Sequence, residues 1–135
     1  MTPHEATKRK VLAEWLHKAD DDLGLAKHLV DQSLLYPNAI VFHSQQAAEK
    51  CIKALLVWRE IPFPKTHDFK VLLELIRPTD ATLAESLRDV VVLTSYGVEP
   101  RYPGDHPDAT PQEAQEAVAL ALKVRKAVYD VLPSP

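Results

Sequence analysis

The chain has 135 residues, of which 46% are hydrophobic, and its 16 Lys and Arg against 19 Asp and Glu give a formal net charge of −3. This length suits one domain over residues 1–135. The negative charge argues against a broad nucleic-acid-binding surface but leaves room for a local phosphate site. A single cysteine excludes a disulfide framework and a cysteine-based zinc site, and no apolar run approaches the roughly 20 residues that span a bilayer. We therefore expect a cytoplasmic protein without a membrane segment, metal or cofactor.

Apolar residues recur at three- and four-residue intervals in five segments, which is typical of amphipathic helices. The five predicted helices cover, in chain order, residues 10–33, 38–59, 67–76, 80–95 and 110–132. The β-branched run 90–92 resembles a strand, but the sequence contains no second strand-like segment to pair with it. The loops are short and rich in proline, which favours antiparallel neighbours. The predicted fold is an all-α, five-helix, up-and-down antiparallel bundle.

Capping residues mark several helix starts. Thr2-Pro3-His4-Glu5 and Thr110-Pro111-Gln112-Glu113 both read as capping boxes, so the first helix can begin near residue 3. Thr66 is the predicted cap of the third helix, and Thr79 or Asp80 that of the fourth. Cys51 lies on the apolar stripe of the second helix, which predicts a core residue rather than a nucleophile.

Polar residues on the second predicted helix share one face. His43, Gln46, Lys50 and Lys53 are spaced three and four residues apart, with Gln45 and Glu49 in the neighbouring row. One interpretation is an ordinary solvated helix face. The other is a polar surface that meets a partner subunit or a ligand.

The loop before the last helix contains Arg101 and His106, with Tyr102 directly after the arginine. A guanidinium suits phosphate and an imidazole titrates near neutral pH, so the pair can serve phosphodiester cleavage. Alternatively, Arg101 anchors the loop to a carboxylate such as Asp22 or Glu99, and His106 is exposed.

Four segments carry a resemblance to a known family. They are W-L-H-K-A-D-D-D-L-G-L-A, A-I-V-F-H-S-Q-Q-A-A-E-K-C-I-K-A-L-L, K-T-H-D-F-K-V-L-L and the triplet R-Y-P, followed by an alanine-rich helix. Together they resemble the HEPN domain family over residues 11–132. The resemblance implies a five-helix bundle that forms a homodimer and is encoded beside a minimal nucleotidyltransferase, in some members as a toxin–antitoxin pair.

Many members of this family are metal-independent ribonucleases with an Arg and a His, four to six residues apart, in a dimer cleft. Arg101 and His106 match that spacing, and the resemblance implies phosphate binding for the arginine and proton transfer for the histidine. Two positions differ from the ribonuclease pattern: Tyr102 replaces a polar residue, and Asp108 replaces a tyrosine that the partner modifies with AMP in toxin-type members. The R-Y-P branch is described as nucleotide-binding or uncharacterised.

Three functions therefore remain open. The first is a nucleotide-associated subunit of a nucleotidyltransferase, in which Arg101 and Lys50 hold phosphates, Tyr102 stacks on a base, and His43 and Gln46 line the cleft or dimer seam. The second is a metal-independent ribonuclease toxin that cleaves RNA with Arg101 and His106. The third is a non-catalytic dimerisation domain built on the second helix. The apolar candidates for a dimer contact are Leu34, Leu35, Tyr36, Phe42 and Pro62–Pro64.

Overall fold

The computed structural model describes residues 1–33, 36–97 and 108–133, and of residues 96 and 97 it describes the backbone. Helices account for the regular structure of these ranges, which contain no strand, so the all-α prediction is confirmed. The helices, in chain order, are α1 (Pro3–Asp31), α2 (Pro37–Trp58), α3 (Phe69–Ile76), α4 (Ala81–Ser86), a 3-10 helix (Arg88–Leu93), α5 (Thr94–Gly97) and α6 (Pro111–Val131).

Both predicted capping threonines mark helix starts, and the two reciprocal bonds of a capping box are present at α6. Thr2 Oγ1 accepts a hydrogen bond from the backbone amide of Glu5 at 3.1 Å, and α1 begins at Pro3. At α6, Thr110 Oγ1 accepts from the amide of Glu113 at 3.1 Å, and the Glu113 carboxylate accepts from the amide of Thr110 at 2.9 Å. These bonds satisfy amide groups that have no partner within the first turn of a helix.

The start of α3 differs from the prediction. Asp68, not Thr66, is the N-cap, and its carboxylate accepts from the amide of Lys70 at 2.9 Å. Thr66 Oγ1 accepts from the amide of Asp68 at 3.1 Å, which forms a turn just before the cap. His67 consequently lies outside the helix, in the connection between α2 and α3.

The predicted fourth helix, 80–95, is divided into α4, the 3-10 helix and α5. Asp80 caps α4 as predicted, since its carboxylate accepts from the amide of Leu83 at 3.0 Å. The β-branched run Val90–Val92 has poor helix propensity because χ1 freedom is lost against the preceding turn. A 3-10 geometry, with three residues per turn, places Val90 and Leu93 on one buried side. The segment therefore adopts the turn that buries these two side chains.

α2 lies at the centre of the bundle and packs against both α1 and α6. Small residues line these contacts, which allows the helix axes to approach closely. The buried alanines of α1, α2 and α6 are Ala19, Ala26, Ala47, Ala48, Ala54, Ala114, Ala117 and Ala121. Larger buried side chains from α3, α4 and the 3-10 helix complete the core, including Phe69, Leu72, Ile76, Leu83 and Val90. Of the helices in the described ranges, none is long and apolar enough to cross a membrane.

Candidate functional site

Asp22 of α1 binds two basic side chains of α2. Its Oδ1 lies 2.8 Å from His43 Nδ1, and its Oδ2 accepts from Lys50 Nζ at 2.5 Å. The side chains are 14% exposed for Asp22, 27% for His43 and 24% for Lys50. A charge-assisted interaction that is only partly solvated is stronger than one on an open surface. One carboxylate therefore holds a histidine and a lysine, separated by two turns, on the same side of α2.

A second network runs through the buried row of α2. Gln46 Nε2 donates to Gln45 Oε1 at 2.7 Å, and Gln45 Nε2 donates to Glu49 Oε1 at 3.1 Å. Lys53 Nζ binds the other Glu49 oxygen at 3.0 Å. Gln45 is fully buried, while Glu49 is 4% and Lys53 7% exposed. A solvated helix face, one of the two interpretations of this pattern, is wrong for Gln45, Glu49 and Lys53, because these three side chains are buried and pair with one another. Gln46 is half-buried.

His67 joins this network from the connection before α3. Its Nδ1 lies 2.7 Å from Glu49 Oε1, and its side chain is 53% exposed while that of Glu49 is 5% exposed. The sequence predicted that the third helix begins at His67, so this contact was missed. No spacing rule links His67, just before α3, to Glu49 on α2. Only the fold brings the two side chains together.

Arg101, Tyr102 and His106 lie outside the described residues, so their predicted roles stay predictions. The described residues on either side of this segment contact α2. α5, which precedes it, packs against α2. After it, Asn38 Nδ2 donates to Asp108 at 3.0 Å, and Asn38 Oδ1 accepts from the amide of Ala109 at 2.7 Å. Both ends thus meet the helix that carries the polar networks.

Cys51 lies in the core, as predicted, and is 2% exposed. The pKa of its thiol is raised to about 12, mainly by burial and also by the nearby Asp20 carboxylate, while Arg125 acts to lower it. A thiol that stays protonated is a poor nucleophile. Within the described ranges, no three His, Cys, Asp or Glu side chains are grouped so as to hold a metal ion.

The apolar dimer candidates differ in exposure. Tyr36 is 68% and Phe42 40% exposed, while Leu34 and Leu35 lie outside the described residues. Within the Pro62–Pro64 segment both prolines are exposed, but Phe63 is half-buried against Trp15, with ring centroids 6.2 Å apart. Tyr36 and Phe42, at the start of α2, are the large side chains of this set that remain accessible.

Comparison with known proteins agrees with this fold. The model of the HEPN domain family matches residues 12–131. The chain is 27% identical over 132 residues to the protein named "Putative toxin MJ1304" of Methanocaldococcus jannaschii, covering 87% of this chain and 86% of that protein. The crystal structure of ST0689, an archaeal HEPN homologue, superposes with a TM-score of 0.67 at 23% identity, covering 88% of this chain and 95% of that one. With its bundle built around α2, and with the family model spanning nearly its whole length, the chain belongs to the HEPN domain family.

Proposed function

We propose that this chain is the toxin-like HEPN subunit of a two-protein system, and that its partner is a minimal nucleotidyltransferase. In this proposal the subunit binds nucleotide phosphates with Lys50 of α2 and Arg101 of the following loop. Tyr102 stacks on the base, and His43 and Gln46 line the cleft. Membership of the HEPN family and likeness to an archaeal protein named as a toxin support the toxin-like role.

The observation that carries the proposal is the pairing of Asp22 with both His43 and Lys50. A lysine ammonium has three N–H donors, and a second ring nitrogen of the histidine is not used by Asp22. Both side chains are therefore held in place, while Lys50 keeps N–H donors for a further anion and His43 keeps its Nε2 for a ligand. Ordering them in the unbound protein reduces the entropy that a ligand must overcome on binding.

The described residues on either side of segment 98–107 support the assignment of Arg101 and Tyr102. α5, which ends at Gly97, contacts α2, and Asn38 of α2 donates to Asp108. We therefore propose that the arginine and the tyrosine act together with the Asp22 pair.

Isothermal calorimetry with ATP tests this function, on the chain alone and on the chain purified with its nucleotidyltransferase partner. We expect Lys50→Ala and Arg101→Ala to weaken binding about tenfold each, the effect of losing one charge-assisted hydrogen bond. Lys126→Ala is the matched control, because Lys126 is 78% exposed and pairs with Asp130 on the same helix of the bundle surface. Absence of ATP binding in both preparations would contradict the proposal.

A metal-independent ribonuclease is the second candidate, and the four-residue interval between Arg101 and His106 favours it. In this case the arginine binds the scissile phosphate, and the histidine transfers a proton during attack by the ribose 2′-hydroxyl. The test is cleavage of total RNA in the presence of a chelator. Cleavage that disappears in His106→Ala but persists in His17→Ala would establish this function, since His17 is 78% exposed and lies on α1. Absence of cleavage by folded wild-type protein would remove it.

We also propose that the functional unit is a homodimer that buries the exposed start of α2. Phe42 and Val92 match in exposure, at 40% and 41%, so they form a fair pair of test positions. Light scattering is expected to give a dimer mass for the wild type and for Val92→Ser, and a shift toward monomer for Phe42→Ser. A monomer mass for the wild type would contradict this part of the proposal.

A further inference from the structure

A cavity of about 610 Å³ lies between the loop that precedes α3 and the segment that joins the 3-10 helix to α5. Its lining includes Lys65, Thr66 and His67 on one side, and Val91 and Thr94 on the other. Its described lining does not include Asp22, His43 or Lys50, and the proposed function does not use this cavity. Cavities of about 300–1000 Å³ commonly hold small molecules.

His67 is positioned in this cavity by a buried carboxylate. Glu49 Oε1 lies 2.7 Å from His67 Nδ1 and also accepts from Gln45 Nε2 at 3.1 Å. Glu49 Oε2 binds Lys53 at 3.0 Å, so both carboxylate oxygens are fixed within the protein. A histidine that donates through Nδ1 to a carboxylate presents Nε2 for other chemistry. Here that second nitrogen belongs to a ring that lines the cavity.

Two hydroxyl groups in the lining are also oriented. Thr66 Oγ1 accepts from the amide of Asp68 at 3.1 Å, and Thr94 Oγ1 accepts from the amide of Phe69 at 3.1 Å. Since each oxygen is already an acceptor, its hydroxyl hydrogen remains for donation. Asp68 also lines the cavity, but its carboxylate serves as the N-cap of α3 and accepts from the amide of Lys70. The described lining therefore contains two basic side chains, Lys65 and His67, and one carboxylate, that of Asp68.

We propose that this cavity binds a small molecule that carries a phosphate monoester. A monoester has a second pKa of about 6, so near neutral pH it offers both P–O⁻ and P–OH groups. Nε2 of a neutral imidazole accepts from P–OH, and Nε2 of an imidazolium donates to P–O⁻. A phosphodiester has no P–OH at this pH and loses the first pairing. Lys65 adds a point charge, Thr66 and Thr94 add hydroxyl donors, and Val91 gives an apolar wall for the rest of the molecule.

The test is a titration of the protein with adenosine monophosphate, followed by NMR of the histidine ring signals. Comparison with His67→Asn assigns the His67 signals. We expect saturable shifts of these signals with adenosine monophosphate and with inorganic phosphate, and much smaller shifts with adenosine or dimethyl phosphate. His67→Asn is expected to weaken binding of the monophosphate about tenfold, and Lys65→Ala severalfold, whereas His17→Asn leaves it unchanged.

Three results would overturn the site. In the first, adenosine shifts the His67 signals as strongly as adenosine monophosphate does. In the second, the monophosphate binds without any effect on those signals, and in the third, neither phosphate compound shows saturable binding.

The ATP experiment tests Lys50 and Arg101, whereas this titration tests His67 and Lys65, so the two assignments are separable. If Lys50→Ala loses ATP binding while adenosine monophosphate still shifts its His67 signals, both sites are supported. If Lys50→Ala loses binding of adenosine monophosphate and His67→Asn keeps it, the site in this cavity is refuted.

Discussion

Asp22 of α1 and His43 of α2 lie 2.8 Å apart between Oδ1 and Nδ1, at the contact between the two longest helices of the described structure. The same carboxylate binds Lys50, so one residue of α1 anchors two residues of α2. In the sequence these residues belong to a D-D-D run and to a polar helix face, and either could have faced solvent. The pairing shows that Asp22, the last aspartate of this run, is directed toward α2.

Replacement of Asp22 by asparagine is expected to destabilise the fold by about 1–3 kcal/mol, because the partly buried Lys50 loses its counterion and His43 loses a carboxylate partner. Urea unfolding followed by circular dichroism measures this change. Asp21→Asn is the matched control, since Asp21 is 72% exposed and lies 3.6 Å from the exposed His17. That control should change stability by less than about 0.5 kcal/mol. Equal effects of the two substitutions would show that the Asp22 pairs add nothing to stability.

Glu49→Gln is expected to lower the unfolding free energy by about 3 kcal/mol, because Lys53 would be left buried without a counterion. The double variant with Lys53→Met should recover much of this loss, since the uncompensated charge is removed along with its partner. Thermal and urea unfolding of the single and double variants measure the coupling. An exposed control is Glu74→Gln, whose side chain is 56% exposed. Strict additivity of the two substitutions would argue against an interaction between Glu49 and Lys53.

Asn38→Ala is expected to destabilise the protein by about 1–2 kcal/mol, because the amide of the buried Ala109 would lose its hydrogen-bond partner at 2.7 Å. Hydrogen exchange at the Ala109 amide should accelerate by more than exchange in the middle of α6. Gln112→Ala, at an exposed position in the first turn of α6, serves as the control. Unchanged exchange at Ala109 would show that Asn38 does not hold the start of this helix.

The Cys51 thiol gives a pH-dependent prediction. Its pKa is raised to about 12 in the folded protein, from an ordinary value of 9.0, mainly by burial. Because the folded state disfavours the thiolate, this contribution to stability is complete below pH 9 and is lost as the pH rises from 9 toward 12. We therefore expect the unfolding free energy of the wild type to fall more steeply over this interval than that of Cys51→Ala.

Urea unfolding at pH 8 and pH 10, under reducing conditions, measures the difference. Cys51→Ala starts from a lower stability because it leaves a small cavity, so the comparison concerns the slope with pH and not the absolute value. Parallel pH dependences of the two proteins would contradict the burial effect. Alkylation at pH 8 provides an independent check, with the folded protein expected to react at least about a hundredfold more slowly than the unfolded chain.

The long helices could be predicted from the sequence because their signals are local. α1, α2 and α6 each have a sustained apolar period, and Thr2 and Thr110 cap their helices through residues three positions away. The region 80–95 was predicted less well, since local spacing does not distinguish an α-helix from the 3-10 turn that buries Val90 and Leu93. The cap at Asp68 was missed because Thr66 and Asp68 are both good capping residues, and local sequence does not distinguish between them.

By itself, the sequence determined the fold class, the family and the residues of α2 that form a polar row, because periodicity, caps and spacing along one helix are properties of the chain. Only the tertiary structure decided which of these polar residues have partners. Asp22 reaches His43 and Lys50 across a helix contact, and Glu49 reaches His67 across a connection, at separations of 21, 28 and 18 residues. Pairs so far apart in sequence obey no spacing rule, since their distance depends on how close-packed alanines let the helices approach and on where each helix begins.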